Sequence, residues 1–169
     1  MAKQLEEQET EEQLYNIKTK IWNQIVAETE ITEAIALEVD SKVEMLNTRY
    51  EKLAEQQGME WEEFLDEYFK YDTDEYNEQI RLYAESMVKT EMIVYAAAQK
   101  EGIEVSEKEY EEQLDSILTS YGYSDRESFE DAAGMALDQF AEEQYSLKLN
   151  LYLEKVLDVI YDRIAENAE

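Results

Sequence analysis

Carboxylates are the side chains in this sequence with the most evident capacity for chemistry. Asp and Glu fill 43 of the 169 positions, and pairs such as Glu62/Asp66 and Glu107/Glu111 lie one helical turn apart. Two carboxylates at such a spacing can serve as general acid and general base. So many acids also produce such pairs by chance on any exposed face. The chain has no His and no Cys to act as base or thiolate nucleophile. We therefore predict no catalytic residue.

The acidic residues do not form a recognisable metal or cofactor motif. Asp72, Thr73 and Asp74 resemble the start of a calcium loop, but Asn77 stands where that loop requires Gly and Tyr83 where it requires Glu. Zinc sites and di-iron helical bundles need Cys or His ligands. No two of the four glycines lie close enough to form a phosphate-binding loop. We expect neither a metal nor a cofactor.

The formal charge of −28 restricts the partners. Nucleic acids and anionic membranes are bound through clustered Lys or Arg, and the 15 basic residues here are scattered. Basic or neutral polypeptides remain electrostatically allowed, although such a charge can also serve solubility alone. The charged N-terminus predicts no signal peptide, and no apolar stretch reaches the about 18 residues of a membrane span. The absence of Cys is compatible with the reducing cytoplasm, where we expect the protein to act.

The composition predicts a folded, all-α chain. Apolar residues make up 44% of the sequence, with 13 Tyr, 4 Phe and 2 Trp, whereas disordered chains are poor in aromatic residues. No proline interrupts the helical periodicity. One apolar seam follows alternating steps of four and three, which is typical of a helix that packs against another. Its members are Val39, Val43, Leu46, Tyr50 and Leu53.

Helix ends are indicated by glycines and by capping boxes. Gly58, Gly102, Gly122 and Gly134 each follow an apolar-periodic stretch, where glycine commonly ends a helix. A Ser or Thr followed three residues later by Glu or Gln predicts a helix start. Three such pairs stand where an apolar-periodic stretch begins: Thr10 with Gln13, Ser106 with Glu109, and Ser124 with Glu127.

The last predicted helix is long for a chain of this size. A helix over Met135–Glu166 would span roughly 48 Å, whereas a compact body of this many residues has a diameter of about 40 Å. We therefore predict an elongated molecule with projecting helical arms. The single domain over 1–169 then divides into a linker helix at 1–31, a first arm at 32–73, a long central helix at 74–101, a second arm at 102–134 and a long C-terminal helix at 135–169.

Apolar residues are concentrated at one predicted arm tip. Seven of the thirteen residues in Met59–Tyr71 are apolar or aromatic, and a short helix has limited room to bury them all. A weaker echo occurs at 120–132, where a glycine again precedes a short acidic helix. Methionines at positions 45, 59, 87 and 92 suit adaptable contact with varied apolar partners. Burial in a core remains the alternative for each of these side chains.

Several ordered segments resemble the C-terminal domain of trigger factor, the bacterial ribosome-associated chaperone family. The resemblance lies in Leu53–Met59, Trp61–Leu65, Lys100–Glu107, Tyr110, Leu114 and Tyr121-Gly122. The Glu-Gly-Ile-x-Val-Ser stretch in the third segment is also similar to the periplasmic chaperone SurA. The order of long and short helices matches the trigger factor pattern from about residue 10 to the C-terminus.

The resemblance implies an all-helical body whose two arms form a cradle for unfolded or nascent polypeptides, without ATP. In full trigger factor a ribosome-binding domain and a prolyl isomerase domain precede this region, and nothing in this sequence resembles either. Ribosome docking and isomerase activity are therefore not expected of this chain. The expected polypeptide contacts are Met59, Trp61, Phe64, Tyr68, Phe69, Tyr123 and Phe129.

Two other classes of function remain open from the residues alone. The apolar seams could instead dock one specific folded partner or form a homodimer, as in a helical structural or adaptor protein. A tight dimer that ignores unfolded proteins would favour that alternative. An enzyme is the third class, and the missing His and Cys weigh against it.

Overall fold

The computed structural model describes residues 2–30 and 32–167, with the side chains of residues 13–30, 32, 35–164 and 166. These residues form helices joined by short turns, and none of them lies in a β-strand, which confirms the all-α prediction. No helix within the described part of the chain is apolar over enough residues to cross a membrane. The helices are α1 (Ala2–Glu28), α2 (Glu33–Gln57), α3 (Trp61–Tyr68), α4 (Thr73–Glu101), α5 (Glu107–Ser120), α6 (Arg126–Ala133), α7 (Leu137–Tyr145) and α8 (Leu147–Asn167).

The glycine signals are confirmed, most clearly at the end of α2. Gly58 has a φ of 69°, a left-handed conformation that residues with a Cβ rarely adopt. Its N–H donates to the Glu55 carbonyl at 3.0 Å, and the Met59 N–H donates to the Ala54 carbonyl at 3.0 Å. This pair of bonds satisfies carbonyls that the helix end would otherwise leave without donors.

One of the three capping boxes is confirmed and two predicted starts are wrong. At α5 the Glu109 N–H donates to the Ser106 hydroxyl, and the Ser106 N–H donates to the Glu109 carboxylate. At α6 the cap is Asp125 instead of Ser124, because the Asp125 carboxylate accepts from the Ser128 N–H at 2.9 Å and suits the positive end of a helix. Helix α1 begins at Ala2, not near Thr10, since its first turns are rich in Glu, Gln and Lys, which favour helix.

The prediction of a single C-terminal helix is wrong, because the chain breaks between α7 and α8. Ser146 has φ 46° and ψ 48°, so it turns the backbone where the sequence carries neither Gly nor Pro. Leu137 and Ala141 of α7 are buried against α5 and α6, and that packing overrides the local helical periodicity. The length argument for an elongated molecule rested on an unbroken helix and no longer holds.

The chain divides into two compact units, each with its own core. The first unit is Thr19–Met92, and the second combines Met1–Lys18 with Ile93–Glu169. In the first unit, Val39 and Leu46 of the predicted α2 seam are buried against α3 and α4, and the other seam members pack around them. The division of the chain into arms stays a prediction. The buried core of the first unit consists of Val39, Leu46, Ala54, Phe64, Leu65, Tyr76, Ile80, Ala84 and Val88.

The second unit packs α5, α6, α7 and α8 around a separate core. Leu114 lies at its centre and is fully buried. Lys155 of α8 connects to the start of α5, since its ammonium lies 2.6 Å from the Glu109 carboxylate and donates to the Glu104 carbonyl at 2.8 Å. The buried core consists of Leu114, Leu118, Phe129, Leu137, Ala141, Leu147 and Leu151.

Replacing Ser106 by Ala tests the cap that fixes the start of α5. We expect the free energy of unfolding to fall by about 1 kcal/mol, because an N–H of the first helical turn loses its acceptor. Urea denaturation followed by circular dichroism measures this change. The control is Ser116→Ala in the exposed interior of the same helix, where Ala favours helix and no loss is expected. Equal losses in both variants would contradict the assignment of the cap.

Candidate functional site

Seven aromatic rings of the first unit lie in continuous contact, and we call them the first aromatic cluster. Helix α3 brings them together because its apolar positions recur three and four residues apart and so share one face. Further rings come from the end of α2, from the segment after α3 and from the start of α4. The members are Tyr50, Trp61, Phe64, Tyr68, Phe69, Tyr71 and Tyr76.

Phe64 is the centre of this cluster, and the rings around it are more exposed. Its ring stacks on Trp61 at a centroid distance of 5.8 Å and on Tyr68 at 4.7 Å, and it meets Phe69 edge-on at 6.0 Å. Only 1% of Phe64 is exposed, whereas 51% of Tyr68 is exposed. Trp61 and Phe69 are half-buried. The cluster therefore has a buried centre, Phe64, and an accessible rim, which is formed by Trp61, Tyr68 and Phe69.

Five of the predicted polypeptide contacts lie in or beside this cluster, and they differ in how far they are exposed. Phe64 is part of the core and supports the rim instead of forming a surface for a polypeptide. Tyr68 is exposed, and Met59, Trp61 and Phe69 are half-buried, so each of the four presents apolar surface.

The rim stands in a strongly negative environment. Residues 59–75 include eight Asp or Glu and a single basic side chain, Lys70. On α3 itself Glu62, Glu63, Asp66 and Glu67 are all exposed between the aromatic positions. Their potential attracts positively charged groups and repels anions at short range, with a reach of about 8–10 Å at physiological salt.

The second unit holds a comparable set of rings, the second aromatic cluster, formed by Tyr121, Tyr123, Phe129, Phe140 and Tyr145. Phe129 is its centre and only 3% exposed, so its ring presents no accessible surface in this structure, and its contact with a polypeptide stays a prediction. Tyr123 is half-buried and meets Phe129 edge-on at 5.4 Å. Tyr121 and Tyr145 are exposed, and their hydroxyl oxygens lie 2.8 Å apart in a hydrogen bond.

The sequence prediction also missed apolar side chains on the outer faces of α2 and α4. Leu37 and Leu82 are exposed, and each stands two residues from a buried position, Val39 and Ile80 respectively. Two residues correspond to about 200° around a helix, so such neighbours point away from each other. The sequence carries one signal for such an exposed side chain, namely an apolar residue that stands two positions from a member of the core seam. Among the methionines, positions 45 and 92 are exposed and positions 59 and 87 are half-buried.

The titratable groups with shifted pKa values serve the fold. Burial raises the pKa of Tyr76 to about 12, and its hydroxyl donates to the Asn47 side chain at 2.9 Å. Hydrogen bonds from Lys155 and Ser106 lower the pKa of Glu109 to about 2, so this carboxylate stays charged as the cap of α5. The described residues contain no group of three or more acidic side chains placed to hold a metal ion.

Comparisons with known proteins agree on one family. Residues 1–162 match the family model described as bacterial trigger factor protein C-terminus. Trigger factors from two strains of Clostridium kluyveri are each 30% identical to this chain over 128 residues. The matched region covers 74% of this chain but 26% of each relative, so the chain corresponds to about a quarter of their length. No solved structure matches.

Tyr76→Phe tests the burial of this hydroxyl at the base of the first aromatic cluster. The pKa of an unburied tyrosine is 10.0, whereas burial raises the pKa of Tyr76 to about 12 in the folded protein. The protonated hydroxyl therefore stabilises the fold fully below pH 10, and this contribution is lost as the pH rises toward about 12. We expect the free energy of unfolding of Tyr76→Phe to fall less steeply over this range than that of the parent protein.

Urea denaturation at several pH values between about 9 and 12 measures these slopes. Tyr15→Phe is the control, because Tyr15 is exposed and its ring lies outside both aromatic clusters. Equal slopes for Tyr76→Phe and Tyr15→Phe would contradict the assigned environment of Tyr76.

Proposed function

The chain belongs to the family of bacterial trigger factor C-termini, and on this premise we propose that it is an ATP-independent chaperone module that binds unfolded or nascent polypeptides. The observation that carries the proposal is the accessible rim of the first aromatic cluster. Tyr68, Trp61 and Phe69 present ring surface to solvent while Phe64 holds them in place from beneath. Aromatic surface of this kind suits the apolar side chains that a folded protein hides and an unfolded one exposes.

Each rim contact is weak, which suits a client that must later leave. Burying apolar surface contributes about 25 cal/mol per Å², so one half-exposed ring supplies only a small part of the affinity. Leu37, Leu82 and Tyr83 add exposed apolar surface on the same unit. Several weak contacts on one flexible client raise the overall affinity while each remains quickly reversible. Release then needs no nucleotide, because the client leaves when its own folding buries the side chains that were bound.

The negative charge supports this function in two ways. Carboxylates beside the rim keep two copies of the module from associating through their exposed rings, since each copy carries a formal charge of −28. They also favour clients that are neutral or basic. The proposal assigns this chain no catalytic reaction, no nucleic acid or membrane partner and no direct docking to the ribosome.

Tyr68→Ser tests the rim as the polypeptide contact. We expect the concentration of module that halves the aggregation of a client to rise roughly two- to tenfold, because one aromatic contact contributes about 0.5–1.5 kcal/mol. Light scattering of guanidinium-denatured citrate synthase, diluted into buffer with the module, measures this concentration. Tyr15→Ser is the matched control, because Tyr15 is a still more exposed tyrosine and lies outside both aromatic clusters.

An unchanged half-effective concentration for Tyr68→Ser would contradict the rim as the contact surface. No suppression by the parent protein at stoichiometric excess would contradict the chaperone function itself. A tight self-dimer in sedimentation, unaffected by denatured client, would favour the structural or adaptor alternative.

A further inference from the structure

Helix α7 is a nine-residue segment with a left-handed residue shortly before it and another directly after it. Gly134, which ends α6, has a φ of 69°, and Ser146, which ends α7, has a φ of 46°. Glycine adopts the left-handed region freely, but for a residue with a Cβ it costs roughly 1–2 kcal/mol. The segment is therefore joined to α6 through an unstrained residue and to α8 through a strained one.

The apolar face of α7 fills a groove between α5 and α6. Leu137 and Ala141 are fully buried there, and the Phe140 ring meets Phe129 of α6 at 5.1 Å and Tyr121 at 5.3 Å. Leu137 and Ala141 belong to the same buried core as the apolar side chains of α5. The three α7 residues have the i, i+3, i+4 spacing with which amphipathic helices bind hydrophobic grooves on other proteins.

Polar contacts between α7 and its neighbours lie at the edges of the groove. The Tyr110 hydroxyl donates to the Glu142 carboxylate at 2.9 Å, and the Leu137 N–H donates to the Glu130 carboxylate at 3.0 Å. The hydroxyls of Tyr121 and Tyr145 form the third bond. Two of these bonds, Tyr110 to Glu142 and Tyr121 to Tyr145, are exposed, and exposed bonds exchange readily with water and contribute little to stability.

Hydrogen bonds at the break offset part of the strain at Ser146. The Glu142 carboxylate also accepts from the Lys148 N–H at 3.1 Å, and the Asn150 side chain donates to the Tyr145 carbonyl at 2.6 Å. The residues around the break otherwise favour helix, so α7 could continue directly into α8 if it left the groove. Leaving would relieve the conformation of Ser146 and uncover the ring of Phe129.

We propose that the groove between α5 and α6 is a second binding site for client polypeptides, and that α7 occupies it until a client segment takes its place. This inference rests on the proposed chaperone function and names the kind of segment that the second unit binds. The segment is a short amphipathic helix with large apolar side chains at i and i+3 and a small one at i+4, as in Leu137, Phe140 and Ala141 of α7 itself.

The outer face of such a segment is neutral or basic. The protein carries a formal charge of −28, so an anionic segment would be repelled when it arrives from solution. Helix α7 is itself acidic, but it is tethered at both ends and is present at an effective concentration that no free peptide reaches. A client segment therefore competes best with α7 when it is basic, because its attraction to the negative protein offsets the higher effective concentration of α7.

Ser146→Gly and Ser146→Ala form a matched pair that shifts α7 in opposite directions. Glycine relieves the left-handed strain and disfavours a continuous helix, so α7 should stay in the groove. Alanine keeps the strain and favours the continuous helix, so α7 should leave more often. Hydrogen–deuterium exchange of the α7 amides should accordingly be slower in Ser146→Gly than in Ser146→Ala, which checks the shift independently of any ligand.

The probe is a fluorescein-labelled peptide with the sequence of α7, in which the exposed Glu143→Lys change lessens repulsion. Apparent affinity falls with the fraction of molecules whose groove is open. Fluorescence anisotropy should therefore show binding to Ser146→Gly that is about fivefold to thirtyfold weaker than to Ser146→Ala, the ratio that corresponds to roughly 1–2 kcal/mol. A control peptide with Ser in place of its Leu and Phe should bind neither variant.

Equal affinity of the probe for the two variants, while their α7 exchange differs, would overturn the proposal. Binding of the control peptide as tightly as the probe would overturn it as well. Failure here is distinct from failure of the proposed function, because suppression of citrate synthase aggregation through the first aromatic cluster does not require α7 to move.

Discussion

The limited interior of each unit is the constraint on which the rest of the structure depends. The helices of each unit bury some of the aromatic rings completely but leave their neighbours partly exposed. Phe64 and Tyr76 in the first unit and Phe129 in the second are buried, whereas Tyr68 beside Phe64 and Tyr121 beside Phe129 stay exposed. The buried rings fix the positions of the exposed ones. The accessible apolar surface is therefore rigidly presented, which lowers the entropy lost when a partner binds.

The formal charge of −28 opposes self-association of a protein with this much exposed apolar surface. Carboxylates interrupt the aromatic positions on α3, and acids elsewhere take part in the fold through caps such as Glu109 and Asp125. Two copies that approach through their rims bring like charges together before the rings can meet. An unfolded chain with little charge or with basic residues meets no such barrier. The same carboxylates thus disfavour self-association and favour the binding of neutral or basic unfolded chains.

The sequence correctly predicted those structural features that depend on interactions between residues close together in the chain. The seam through Val39 and Leu46, the turn at Gly58 and the cap at Ser106 each depend on residues within a few positions of one another. Packing between distant segments decided the rest. Phe64 and Tyr68 share the apolar face of α3, and only the position of α2 and α4 makes one buried and the other exposed. The break at Ser146 likewise has no local signal, because burial of α7 against α5 and α6 causes it.

The emission of Trp61 is the most direct measure of the central claim that the first aromatic cluster contacts unfolded chains. Trp22→Phe leaves Trp61 as the single tryptophan of the protein. Reduced, carboxamidomethylated ribonuclease A is a suitable client, since it is unfolded and contains no tryptophan, and native ribonuclease A is a control of similar charge. The account predicts that the unfolded form shifts Trp61 emission to shorter wavelength as water leaves the rim, and that the native form does not. An unchanged spectrum at saturating unfolded client, or the same shift with native ribonuclease, would contradict it.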